Sequence, residues 1–349
     1  MRIVISMLIV ILITASCSRG QDEPETYEPV VKNHLGLGTV SRITVYDLPQ
    51  ERAEALINEV FARIDEIDRN MSLFREQNDI AQINQHAGDA PVTVSKETYQ
   101  VISEGIRIAR SSGGAFDPTI GPLVAAWGIG TDDPRIPPRQ ELQELLSLVD
   151  YRKVQLGDDF SVGLASPDMA IDLGGIAKGY AADEAKRILS EGGSSSALIN
   201  LGGNIMLLGT KPDSTPWRIG IQDPNDSRGR YTLILSLTSG TVVTSGVYER
   251  FFYDEDIRYH HILDTGTGYP AENGLESVTI VTEQSAYADG LSTAAFVMGL
   301  EAGLEYINSL PDAEAVFITA DREIYFTEGF GHGKIPYTIS DDRFEVVTR

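Results

Sequence analysis

Between residues 34 and 345 nothing in the chain reads as a linker, and that continuity most limits what it can fold into. Helical and strand patterns interleave along the whole stretch. Pro49 to Asn70 carries Leu56, Val60, Phe61, Ile64 and Ile67 at helical spacing, which predicts an amphipathic helix. Ser95 is placed to cap a second, over about 96–112, stopped by Gly113-Gly114. Further helices are expected near 139–149, 176–190, 286–298 and 301–308. Gly38 to Asp47 alternates as a strand does, and Ala170-Ile171-Asp172 ends another. Short strands broken by Gly, Pro and Asn-Asp turns fill 196–283, and two more close the chain. The order is not strict βαβ alternation. The expected class is therefore α+β: one large mixed domain over 34–345, with sheets flanked by helices. A chain of 349 residues with 42% apolar residues has material for a sizeable core.

The amino terminus has a different character. Ile3 to Ile13 is almost wholly apolar, and Thr14, Ala15, Ser16 and Cys17 follow. The run is too short for a stable bilayer span and reads as a secretory signal over 1–16. A lone cysteine behind such a run resembles a bacterial lipobox, so Cys17 is expected to be lipidated and the protein to be extracytoplasmic, on the periplasmic face. Residues 17–33, polar, acidic and containing Pro24, are expected to be a tether. The single cysteine excludes an internal disulfide and any zinc site built on several cysteines. With 28 basic and 51 acidic residues the net charge is −23, which repels nucleic acid. Any anionic substrate must then be held by a local device.

One stretch offers such a device. In Asp172-Leu173-Gly174-Gly175-Ile176-Ala177-Lys178-Gly179-Tyr180 two glycines precede a helix. Glycines let a ligand approach the backbone, the helix start presents free N–H groups, and Lys178 adds a charge in the first turn. It is neither a Walker A loop nor GxGxxG, and by itself it equally fits a tight turn with a solvated lysine. In Ala286-Tyr287-Ala288-Asp289-Gly290-Leu291-Ser292-Thr293, Asp289 and Thr293 are four apart and share a helix face. A carboxylate with a hydroxyl suits a hard cation such as Mg²⁺, although Asp also simply favours a first helical turn. In Tyr259-His260-His261-Ile262-Leu263-Asp264, strand geometry would send the two rings to opposite faces, so at most one serves a given site. Gly113-Gly114-Ala115-Phe116-Asp117-Pro118-Thr119, Asn200 to Asn204 and Thr244-Ser245-Gly246 are further turns with small polar residues. Ser245 lacks a GxSxG setting. His34, His86 and His332 are expected to be structural or at the surface.

The order of these stretches resembles the ApbE family of flavin transferases. The resemblance covers about 35–310. It runs through Gly38-Thr39, Met71-Ser72 to Asn84, Gly114 to Gly121 with Trp127-Gly128, and Asp172 to Gly179. It continues through Asn200 to Asn204 with Pro216-Trp217, Thr244-Ser245-Gly246, His261 to Asp264, and Ala288 to Thr293. It implies an ApbE-type fold that splits FAD with Mg²⁺ and attaches FMN by a phosphoester to a Thr or Ser of an acceptor protein, releasing AMP. Asp289, Thr293 and the Gly175 carbonyl would ligate Mg²⁺. Lys178 and Asp172 would contact FAD, Ala115, Phe116 and Asp117 would line its pocket, and His261 with Ile262 would lie by the reacting phosphate. Leu37 and Phe74 stand where the family has a flavin-contacting Met and a stacking Tyr. Asn78-Asp79 and Asp264-Thr265 replace its Ser-Glu and Asp-Pro. His261 and Asp289 are both candidate bases. Typical acceptors are flavin-carrying subunits of membrane redox complexes. Two alternatives remain: an FAD pyrophosphatase giving free FMN, and a non-catalytic FAD-binding lipoprotein.

Overall fold

A computed structural model describes residues 27–226, 229–331 and 333–348. The expected signal segment, Cys17 and His332 lie outside the described residues. The centre is a nine-stranded sheet. Its order is Val30–Gly36, Thr39–Val45, Ala197–Leu201, Asn204–Leu208, Gly240–Gly246, Leu275–Thr282, Glu314–Thr319, Glu323–Phe326 and Glu345–Val346. Every neighbouring pair is antiparallel except the last. A mostly antiparallel sheet with helices gathered on one face is the α+β arrangement.

Side chains alternate between the faces of a strand, so the sheet feeds two cores. Ile43, Ile199, Leu201, Val243 and Ile280 pack against the helices Gln50–Met71, Ala177–Glu191 and Ser285–Met298. On the other face Leu207, Val242, Val281 and Val316 meet the sheet Tyr337–Ile339, Tyr231–Leu237, Trp217–Gln222 through Ile219, Ile221 and Leu235. A third cluster gathers Leu123, Trp127, Leu142 and Leu263. The helix Ser285–Met298 is buried on nearly every side, from Ser285 to Phe296. Small residues allow this: Ala286, Ala288, Gly290, Ser292, Ala294 and Ala295 bring the sheet and three other helices close to its axis. It is the element on which the candidate site is built.

The helix periodicities hold, with helices at Gln50–Met71, Lys96–Ser111, Ala177–Glu191, Ser285–Met298 and Leu300–Asn308. Ser95 caps the second by accepting from Thr98 N–H. Three boundaries differ. The first strand starts at Val30, so residues 30–33, assigned to the tether, are already an edge strand. Their alternation is hidden by Lys32, a charged residue on the half-buried face, where its Nζ donates to Asn58 Oδ1 of the first helix. The helix expected to reach 149 stops at Leu146, where Ser147 bonds its own hydroxyl back to Glu144 O. Ala170-Ile171-Asp172 is no strand. It makes one bridge, Ile120 to Ala170, and is held instead by a side chain described below. Two short helices, Asp79–Gln85 and Gly121–Trp127, carry too few turns to show a period.

Candidate functional site

The helix Ala177–Glu191 starts without a side-chain cap, since its N-cap residue is Ile176. Ahead of it the Asp172 carboxylate accepts Gly174 N–H at 2.7 Å, a short turn that fixes the Gly174-Gly175 loop. Gly179 lies in the first turn, where a Cβ would meet Ser285 O at 2.2 Å and Ala286 Cα at 2.6 Å. Only glycine lets this helix approach the start of Ser285–Met298 so closely. That approach puts Gly179 N–H 2.9 Å from Asp289 Oδ2 and Lys178 Nζ 3.6 Å from Asp289 Oδ1. Lys178 Nζ also reaches Gly174 O at 3.4 Å. Asp289 is 3% exposed. The two helices are pinned a second time, because Asp183 accepts Ser285 N–H at 2.8 Å and Ala286 N–H at 2.9 Å. Burial pushes the Asp183 carboxyl up, and these two N–H groups pull it back.

One turn along, Thr293 Oγ1 donates to Asp289 O at 3.3 Å and sits 3.4 Å from Ser245 Oγ. Ser245 Oγ is 2.8 Å from Ser292 Oγ, which donates to Asp289 O. Ser245 is thus a support for the Asp289 turn, and among the described residues no histidine bonds to it. A Cβ on Gly175 would stand 3.5 Å from Thr293 Oγ1, so the Gly174-Gly175 loop, Asp289 and Thr293 converge.

The two histidines separate as strand geometry requires. His260 ends the strand Ile257–His260 and is buried, edge-on to Phe296 and 3.3 Å from Ala271 O. Burial holds its pKa down to about 4. His261 lies across from Arg250, just beyond the open end of the hairpin Phe251–Asp254/Ile257–His260, with Nδ1 at 3.2 Å from Arg250 O. A carbonyl only accepts, so the ring proton is on Nδ1 and Nε2 carries the lone pair. Its pKa is pushed down to about 3, by burial first and then by the positive charges of Arg250 and Lys178. The same two cations oppose the burial that raises the Asp172 carboxyl. Asp172, Lys178, Arg250 and His261 therefore share one electrostatic neighbourhood, and Lys178 links it to Asp289.

The remaining expected residues divide. Leu37 and Gly38, at φ 52° and 68°, form the two-residue turn between the first two strands. Leu37 O accepts from Arg250 Nη2 at 3.4 Å, which ties that turn to the site. Ala115 lies next to Gly114, whose carbonyl accepts Thr265 Oγ1 at 2.7 Å. Phe116 is buried, and a Cβ on Gly175 would come within 3.1 Å of its ring, so it packs under the glycine loop. Ile262 is buried as well. Asp117 is buried, and its carboxylate accepts Thr119 N–H, Thr119 Oγ1–H and Tyr151 N–H at 2.7–2.9 Å and organises its own loop. Phe74 stands 62% exposed on the loop after the first helix, and among the described residues no ring contact or hydrogen bond joins it to the cluster. Asn84 supplies what a strand would otherwise give the segment before Asp172. It accepts Ile171 N–H at 2.7 Å and donates to Ile171 O at 3.1 Å. His34 bonds Asp65, and His86 bonds Gln82 O. Sequence reasoning missed Arg250 and Asp183. Each carries no local signal, and each acts across more than ten residues.

A family model described as the ApbE family matches residues 37–317. The chain belongs to the ApbE family. Similar curated proteins are the FAD:protein FMN transferase of Treponema pallidum (strain Nichols), 36% identical over 340 residues and covering 93% of each chain, and that of Klebsiella pneumoniae (strain 342), 37% identical over 272 residues, 78% of this chain and 84% of the relative. Among solved structures, the ApbE protein of Thermotoga maritima superposes with a TM-score of 0.81 at 34% identity, covering 87% of this chain and 99% of the other. The flavin transferase ApbE of Vibrio cholerae gives 0.79 at 29%, covering 88% and 99%. The α+β class and the single mixed domain are those of the family.

Proposed function

We propose that this ApbE-family chain is an Mg²⁺-dependent FAD:protein FMN transferase, which splits FAD and joins FMN to a Thr or Ser of an acceptor protein. The observation that carries the reading is Asp289. It is an almost fully buried carboxylate at the convergence of an uncapped helix start, Lys178, Thr293 and the Gly174-Gly175 loop, in a chain whose relatives bear that activity's name.

The donor set fits a hard divalent ion. Among the described residues no group of three or more His, Cys, Asp or Glu side chains could hold a metal. Asp289, Thr293 Oγ1 and the Gly175 carbonyl offer few, hard oxygens, the arrangement Mg²⁺ tolerates because phosphate and water complete its shell. Asp289 Oδ1 has only a loose 3.6 Å contact with Lys178 and is available to such an ion. When bound, Mg²⁺ would neutralise phosphate charge and polarise the bond that breaks.

The chain's own residues do the rest by positioning. Lys178 and the N–H groups of the helix start bind the phosphates. The acceptor hydroxyl oxygen bonds to the FMN-side phosphorus, the bond from that phosphorus to the bridging oxygen breaks, and AMP leaves with that oxygen. The hydroxyl proton goes to His261 Nε2. Asp289 is the poorer base because Oδ2 already accepts Gly179 N–H and Oδ1 is the oxygen proposed for the ion. Burial is the main cause that keeps His261 unprotonated; the two cations that add to it are those the FAD phosphates would neutralise, so that part of its basicity returns when substrate arrives.

For localisation we propose a lipid-anchored extracytoplasmic protein. The apolar run before Cys17 supports this, and no helix among the described residues is long and apolar enough to cross a membrane. Loss of lipid labelling in Cys17→Ser would support it, and undiminished labelling would refute it. The activity is tested by incubating the protein with FAD, Mg²⁺ and a candidate redox-subunit acceptor. Flavin fluorescence fixed to the acceptor in a denaturing gel, with stoichiometric AMP and loss of both in EDTA, is expected. AMP with only free FMN would mean a pyrophosphatase. Bound FAD without AMP would mean a binding protein.

A further inference from the structure

Arg250 tunes His261 without yet touching substrate, but three separated segments, the Leu37-Gly38 turn, Gly130 and His261, are shaped around it. Its Nη2 donates to Leu37 O at 3.4 Å. A Cβ on Gly38 would fall 2.8 Å from the same nitrogen, and a Cβ on Gly130 would fall 3.3 Å from Arg250 Cδ. Both glycines hold positive φ, 68° and 88°. Two backbone turns thus leave room for this one side chain. Its main chain is fixed too, because Arg250 O accepts both His261 N–H at 3.1 Å and His261 Nδ1–H at 3.2 Å. The guanidinium therefore lies between the Leu37-Gly38 turn and His261, within electrostatic reach of Asp172.

The residue is exposed, and among the described residues no carboxylate forms an ion pair with it. It is seated by a backbone carbonyl and two glycine turns, with no described carboxylate bonded to it. Arginine's planar fork suits phosphate oxygens and keeps its charge at any working pH. Lys178 approaches the same neighbourhood from the helix start, on a different element. Two cations from two elements can grip a diphosphate where one would only attract it.

Resting on the proposed transferase reading, we propose that Arg250 is a binding residue for the pyrophosphate of FAD, opposite Lys178, and that it orients the phosphorus next to His261. The Leu37 carbonyl and the two glycine turns hold the guanidinium in place so that little of its freedom is lost when the phosphate binds.

The test uses the full chain and FAD as the probe, with flavin fluorescence reporting the Kd. Loss of a charge-assisted contact predicts that Arg250→Gln weakens FAD about 10- to 100-fold, while Arg250→Lys recovers most of that loss. The salt dependence of FAD binding should be shallower in Arg250→Gln than in the wild type, which loss of a purely structural residue would not produce. An FAD Kd for Arg250→Gln within about threefold of wild type overturns the proposal. So does a weakened Kd with unchanged salt dependence and no recovery in Arg250→Lys, which would mean a packing role. A wild type that binds FAD but releases no AMP would defeat the transferase reading alone, since the Arg250 comparison is read from binding.

Discussion

Replacing Gly179 by alanine tests the contact on which the site geometry depends. A new Cβ would lie 2.2 Å from Ser285 O and 2.6 Å from Ala286 Cα, both backbone atoms that cannot rotate away. The two helices must part by roughly 1 Å to restore ordinary contact. Overpacking of this kind costs about 1–3 kcal/mol. The Gly179 N–H bond to Asp289 Oδ2, 2.9 Å long, stretches at the same time. A hydrogen bond to a charged group contributes about 1.5–3 kcal/mol. Alanine returns up to about 1 kcal/mol through helix propensity. The net expectation is a loss of about 2–4 kcal/mol, equivalent to several degrees in Tm for a chain of this size. AMP release should fall at least about tenfold, because Asp289 loses a partner that aims it. Thermal melts and an AMP assay on Gly179→Ala, with exposed Ser190→Ala as the reference, measure both. An alanine variant that melts at or above wild type with full activity would refute the tight helix contact and the positioning role built on it.

Asp289→Asn keeps an acceptor for Gly179 N–H but removes the charge, so the fold should hold within about 2 kcal/mol while AMP release falls more than about 100-fold. A melt and a turnover assay separate the two, and full turnover would exclude the metal role. His260 is neutral in the fold down to a pKa of about 4, whereas an unfolded histidine protonates near 6.5. Between those values the unfolded state binds more protons, so this contribution is complete above about pH 6.5 and is lost as pH falls towards 4. It amounts to about 3 kcal/mol. Urea titrations of His260→Gln against wild type should converge as the pH drops through that window, and a constant difference would contradict a buried neutral ring. Removing Mg²⁺ with EDTA should weaken FAD binding by about tenfold or more, which equilibrium fluorescence measures. Equal affinity with and without the ion would count against shared phosphate binding.

What the sequence discloses here depends on how local each constraint is. The helices at 50–71 and 96–111 repeat their apolar positions over several turns, and Ser95 announces a start, so each is readable within its own span. Asp289 and Thr293 are readable as a pair because one helix turn joins them. The segment before Asp172 is different. Its apolar residues look like the end of a strand, but the partner for Ile171 is the side chain of Asn84, 87 positions earlier. Asp117 fits a pocket wall as well as a loop brace, and only the positions of Thr119 and Tyr151 decide that its oxygens turn inward. Arg250 is invisible for the same reason. It sits before a run of aromatics, and nothing nearby says that strand pairing sets it against His261 or that Leu37 reaches its guanidinium.

The net charge of −23 looked like an obstacle to an anionic substrate, and the fold answers it over short distances. Screening confines exposed charges to about 8–10 Å at ordinary ionic strength, so most of the acidic surface contributes little at the site. Within that radius the balance is local. Asp172 and Asp289 stand with Lys178 and Arg250, two negative charges with two positive. Such a group is close to neutral when empty and tolerates its own partial burial, whereas an uncompensated cluster of cations would destabilise the fold. A pyrophosphate entering with a divalent cation keeps that balance, and either one entering alone upsets it. The carboxylate that stabilises Lys178 is also the one proposed to hold the metal. On the proposed reading, Lys178 would turn towards the phosphates once Asp289 held the cation, and binding the ion and binding the substrate would be a single exchange of partners.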